Sequence, residues 1–161
     1  MMPNTVRLAV AGVALDDETD APTVLLRSES GAAMLSVPVG AFEASAIIIE
    51  VEGLKPPRPL THDLFAELFS RHAFRLQSFE LYARGEEGYL GRLRYQKGMR
   101  SYTMEVRPSD GIALALRLGA PIEAAEDLVE GATSRAETLE TASSASASVL
   151  LLDSRPWFLR A

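Results

Sequence analysis

Twice along this chain of 161 residues an Arg-Pro pair leads through Thr or Ser to an Asp and then straight into an apolar run. The first is Arg58-Pro59-Leu60-Thr61-His62-Asp63, feeding Leu64-Phe65-Ala66-Glu67-Leu68-Phe69. The second is Arg107-Pro108-Ser109-Asp110, feeding Gly111-Ile112-Ala113-Leu114-Ala115-Leu116. Proline pushes the residue before it out of helical conformation, and Ser or Thr followed by an acid suits a helix start. Each block therefore forces a switch from extended chain to helix, and places an Arg, an Asp and unpaired backbone N–H groups at the helix mouth. Such a mouth can hold an anion such as phosphate, or it can cap itself.

Around the blocks the chain reads as strands and helices. Residues 6–13, Thr23–Arg27 and Met34–Val39 read as strands, the last two around a turn at Ser30-Gly31. Pro38 removes a ladder donor, which predicts an edge or a bulge. Gly40 opens Ala41–Val51, whose small residues suggest a closely packed helix, although Ile47-Ile48-Ile49 taken alone also suits a strand. Thr61 to His72 fits a helix with Leu64, Phe65, Leu68 and Phe69 on one stripe. Phe74 to Tyr82 reads as a strand with a parity slip near Gln77-Ser78. Tyr89–Tyr95 and Ser101–Val106 form a hairpin around Lys97-Gly98. The helix after Arg107 stops at Gly119, Pro121-Ile122 leads at most a short strand, and 126–130 starts another helix. The fold class is α+β: a mostly antiparallel sheet with three to four helices. Residues 1–130 form one domain. Residues 131–161 read as an Ala/Ser-rich tether ending in an apolar tail with the single Trp157.

There is no cysteine, which removes disulfides, thiolate metal sites and Cys nucleophiles. The N-terminus lacks a signal-peptide pattern and no apolar run reaches membrane-spanning length, so a cytoplasmic protein without membrane attachment is expected. The net charge of −6 argues against a passive nucleic-acid coat. Residues 92–107 nevertheless carry five bases and one acid.

Three blocks resemble the bacterial bifunctional nuclease (DNase/RNase) domain family: Val39-Gly40-Ala41-Phe42-Glu43-Ala44-Ser45-Ala46-Ile47, Pro57–Leu64, and Arg107–Ala115 with Gly119-Ala120-Pro121-Ile122 closing it. The resemblance covers about residues 5–130. It implies an α+β fold, a homo-oligomer with a dimer favoured, and nuclease activity on both DNA and RNA. It brings no settled catalytic mechanism. Gly111 stands where the family more often has Ala, which predicts a loosened helix mouth costing up to about 1 kcal/mol.

Phosphodiester hydrolysis requires an activated water, compensation of phosphoryl charge and proton delivery to the leaving oxygen. Among the two histidines, His62 lies beside Asp63 and four residues after Arg58. The candidate catalytic residues are Glu43, His62, Asp63 and Asp110. Arg58 and Arg107 would grip phosphate. Arg92, Arg94, Lys97 and Arg100 on the basic hairpin would bind nucleic acid, with Tyr89, Tyr95 and Tyr102 able to stack on unpaired bases. If Glu43, Asp63 and Asp110 converge, they can ligate Mg²⁺ or Mn²⁺, although no metal-ligand spacing is present. Structural explanations stand beside each assignment: the Asp residues complement helix dipoles, the arginines pair with them, and the hairpin cations form a solvated face. The expected function is a nuclease of little sequence preference. The alternative is a non-catalytic phosphate-, nucleotide- or protein-binding regulatory module, or a scaffold.

Overall fold

The computed structural model describes residues 4–15 and 20–132. β1 (Thr5–Leu15), β2 (Pro22–Ser28) and β3 (Met34–Pro38) form an antiparallel meander. α1 (Ala41–Val51) and α2 (Thr61–Arg71) follow, then a second meander of β4 (Phe74–Gly85), β5 (Gly88–Lys97) and β6 (Arg100–Val106). α3 (Pro108–Leu118) leads into β7 (Ile122–Ala125), and residues 126–132 form a fourth helix, α4. The sheet order is β3-β2-β1-β7-β4-β5-β6. β7 is antiparallel to β1 and parallel to β4, so four residues join the two meanders into one sheet.

The local chemistry explains these boundaries. β3 is an edge strand ending at Pro38, as its missing donor requires. The parity slip at Gln77 is a register shift between Leu76 and Ser78. Gly119 adopts the left-handed conformation, φ 62°, that ends α3 and hands the chain to β7. α1 is helical through Ile47–Ile49, because Ile47 and Ile49 are buried while Ala44 and Ala46 permit close packing.

One face of the sheet carries Leu8, Leu26, Leu35, Phe79, Leu81, Leu93 and Ile122, packed with Ile47 of α1 and Ile112 of α3. Gly111 sits directly on the Phe79 ring, where an added Cβ would overlap it; a Cβ at Gly91 would also crowd that ring. The glycine at 111 therefore makes room for a core phenylalanine, a reason for glycine here that the sequence alone did not suggest. The opposite face carries a cross-strand row of charges, Arg7 opposite Glu123, Glu123 opposite Glu80, Glu80 opposite Arg92 and Arg92 opposite Glu105. Among the described residues no helix is long and apolar enough to cross a membrane. The tether and its Trp157 tail lie outside the described residues, and α4 straddles the 130/131 boundary.

Candidate functional site

α1, α2 and α3 each carry an acid as their third residue: Glu43, Asp63 and Asp110. That position faces the helix's own first N–H groups and the positive end of its dipole. α3 packs against both other helices, which brings the three mouths near one another. The three helices begin without a Ser or Thr cap: the N-cap residues are Gly40, Leu60 and Arg107, with Pro108 fixing the first turn of α3.

Four of the candidate residues gather in one chain of contacts. Arg107 donates from Nε to Asp110 Oδ2 at 2.7 Å and from Nη2 to Asp110 Oδ1 at 3.1 Å. Its Nη1 lies 3.0 Å from Glu43 Oε1. On the other side, His62 Nε2 lies 3.0 Å from Asp110 Oδ1. Arg107 is 67% exposed, so solvent reaches the line at its guanidinium, whereas the His62 side chain is 16% exposed. Burial pushes the Asp110 carboxyl up, but the hydrogen bonds and charges of Arg107 and His62 outweigh it and hold Asp110 below the usual carboxylate value. An ionised Asp110 can only accept a hydrogen bond, so Nε2 of His62 is the donor in this contact. Gly40 matters here too, since a side chain at that position would overlap the Glu43 carboxylate.

Asp63 belongs to a neighbouring contact. Its Oδ2 accepts the Leu60 N–H at 2.7 Å and its Oδ1 accepts Arg117 Nε at 2.5 Å. Arg117 is only 3% exposed and also donates to the carbonyls of Ala113 and Ala46. It thus ties α3 to both α1 and α2, and Asp63 is its counter-charge. Burial raises the Asp63 carboxyl, and the Leu60 N–H with Arg117 outweighs that, leaving it lowered. Arg117 escaped the sequence reading because a basic residue in a last helical turn looks like a dipole partner. Arg58 is exposed and makes no hydrogen bond or ion pair among the described residues.

The three acids considered as ligands for Mg²⁺ or Mn²⁺ are not gathered as a ligand set. Glu43 and Asp110 lie on either side of Arg107, and Asp63 is held by Arg117. Among the described residues no three His, Asp or Glu side chains are grouped to hold a metal ion.

The basic hairpin divides between the two faces. Arg92 makes two hydrogen bonds to Glu80, at 2.9 and 3.0 Å, and Arg94 lies 3.7 Å from the same carboxylate. Glu80 is fully buried, so it demands these cations as partners. By strand alternation this group faces away from Phe79 and α3. Glu80 and Arg92 line an open hollow of about 480 Å³ whose rim also holds Glu126, Asp127 and Glu130, a poor surface for a polyanion. Arg92 and Arg94 are therefore structural cations on the far face, and Glu80 was missed because alternating strand residues do not reveal a buried acid. Lys97 and Arg100 stay at the β5–β6 turn, with Lys97 Nζ 4.8 Å from the centre of the Phe74 ring.

A family profile described as bifunctional nuclease domain matches residues 24–137. Two relatives, the uncharacterized proteins MT1877 and Rv1829 of Mycobacterium tuberculosis strains, are each 34% identical over 113 residues, spanning 70% of this chain and 67% of theirs. The matched region contains all three helix mouths.

Proposed function

This chain belongs to the bifunctional nuclease domain family, and from that premise we propose that it hydrolyses phosphodiester bonds of DNA and RNA where the mouths of α1, α2 and α3 meet. The observation that carries the reading is the His62–Asp110 contact at 3.0 Å beside an exposed Arg107. It supplies a proton acceptor, a carboxylate to orient it and a cation, contributed by two separate helices.

Each group has a defined task. His62 Nδ1 takes a proton from water as the water oxygen attacks phosphorus. The bond from phosphorus to the sugar oxygen breaks, and the imidazolium returns the proton to that leaving oxygen. Asp110 holds the ring and offsets its positive charge. Arg107 uses three of its five N–H groups on Asp110 and Glu43, which leaves two for phosphoryl oxygens. Arg58, exposed at the approach to α2, is assigned as a second cation for the phosphate. Water, rather than a ribose hydroxyl, is the nucleophile, so the same chemistry serves DNA and RNA, and no group reads a base.

One observation favours a second reading, a phosphate-, nucleotide- or protein-binding regulatory module without turnover. Glu43, Asp63 and Asp110 each already hold an arginine, which keeps the site ordered but leaves no acid free. Incubating the purified chain with labelled single-stranded DNA and RNA separates the two. The nuclease reading expects cleavage of both that falls about 10²- to 10⁴-fold in His62→Ala. Binding of the labelled strands without any cleavage would support the second reading instead.

A further inference from the structure

α2 runs away from the hydrolytic centre, and one stripe of it carries His62, Phe65 and Phe69 at helical spacings of three and seven. At about 1.5 Å per residue, Phe65 lies about 4.5 Å along the axis from His62. From there the aromatic rings continue across to the sheet. Phe65 and Phe69 have centroids 5.8 Å apart, Phe69 and Tyr95 5.6 Å, and Tyr95 and Tyr102 5.3 Å in a stacked pair. The inner members are partly or fully buried, whereas the two ends are open: Phe65 is 43% exposed and Tyr102 40%. Lys97 and Arg100 face each other across the β5–β6 turn beside these rings, both exposed.

We propose that this stripe is the track for an unpaired nucleic-acid strand, whose bases stack on Phe65 and Tyr102 while Lys97 and Arg100 neutralise its phosphates as it leaves His62. The proposal rests on the nuclease reading of the His62 centre, and it narrows the substrate class to single strands or frayed ends. Exposed rings offer a π-face to any base but only to one that is not paired, and flanking cations match the backbone charge. The rings also sit on the face that carries His62, apart from the acidic hollow beside Glu80.

The test is the affinity of the full chain for a labelled, phosphorothioate-linked oligothymidylate, compared with the same strand annealed to its complement. The wild-type chain is expected to bind the single strand more tightly. Phe65→Leu and Tyr102→Ser should each weaken that binding about fivefold or more, and Phe65→Trp should restore it. Cleavage of an ordinary oligonucleotide by the same variants should show a raised KM with kcat little changed. Equal affinity for the duplex, or unchanged affinity in both variants, would overturn the track even if cleavage persists. Single-strand binding that depends on both rings but gives no cleavage would uphold the track and remove the nuclease reading. A change in oligomeric state on replacing Phe65 or Tyr102, with affinity unchanged, would make this face a subunit interface instead.

Discussion

Asp63 and Asp110 hold the same position in their helices, yet their surroundings give them different work. Asp110 lies between an exposed arginine and a histidine, while Asp63 answers Arg117, whose side chain has almost no access to water. Removing the charge at 63 leaves a buried guanidinium short of its counter-ion. Asp63→Asn should therefore lower the unfolding free energy by about 1–3 kcal/mol, measured by denaturant melting at neutral pH. The carboxyls of Asp63 and Asp110 are both lowered in the folded chain. Their contribution is complete above the unfolded value, about 3.9, and is lost as pH falls through the lower folded values. The wild-type chain should thus lose stability on acidification below about pH 4, and Asp63→Asn should show a shallower loss over the same interval. Both aspartates stand out in the sequence as helix-start acids. The pairing of Asp110 with Arg107, three residues before it, is legible, but nothing in a linear string tells that Asp63 will meet Arg117, and so Arg117 and Glu80 became visible only with the fold.

At the level of elements, the slot between β5 and α3 decides how closely the site's helix can sit on the sheet. Phe79 fills that slot, with Gly91 on one side and Gly111 on the other. Gly111→Ala improves helix propensity by up to about 1 kcal/mol but forces the ring or the helix to move. The packing term is the larger, so the variant should melt at a lower denaturant concentration, losing about 1–3 kcal/mol. A gain in stability would show that propensity rules at this position. Element types were legible from periodicity: α1 to α3, both meanders, the β4 irregularity and the Gly119 stop all follow local patterns. β7 was not legible as a central strand, because its four residues between two long partners matter through position in the sheet and not through their own propensity.

On the scale of the whole molecule, the sheet separates two chemistries. One face takes α1, α2 and α3, the His62 centre and the aromatic stripe. The other takes the row from Arg7 through Glu123, Glu80 and Arg92 to Glu105, together with the acidic rim of α4. Of the chain's 22 acids, Glu80, Glu105, Glu123, Glu126, Asp127 and Glu130 are turned away from the His62 side, so part of the acidic charge does not face the nucleic acid proposed as substrate. The central claim is that the fold makes one hydrolytic unit of residues 48 positions apart, His62 and Asp110. It is tested most directly by a double-mutant cycle, measuring kcat on single-stranded DNA and RNA for wild type, His62→Ala, Asp110→Asn and the double variant, all with melting curves recorded in parallel. Groups that act as a unit should give large single losses and a double variant scarcely worse than His62→Ala. Losses that simply multiply, or cleavage undiminished in either single variant that remains folded, would contradict it.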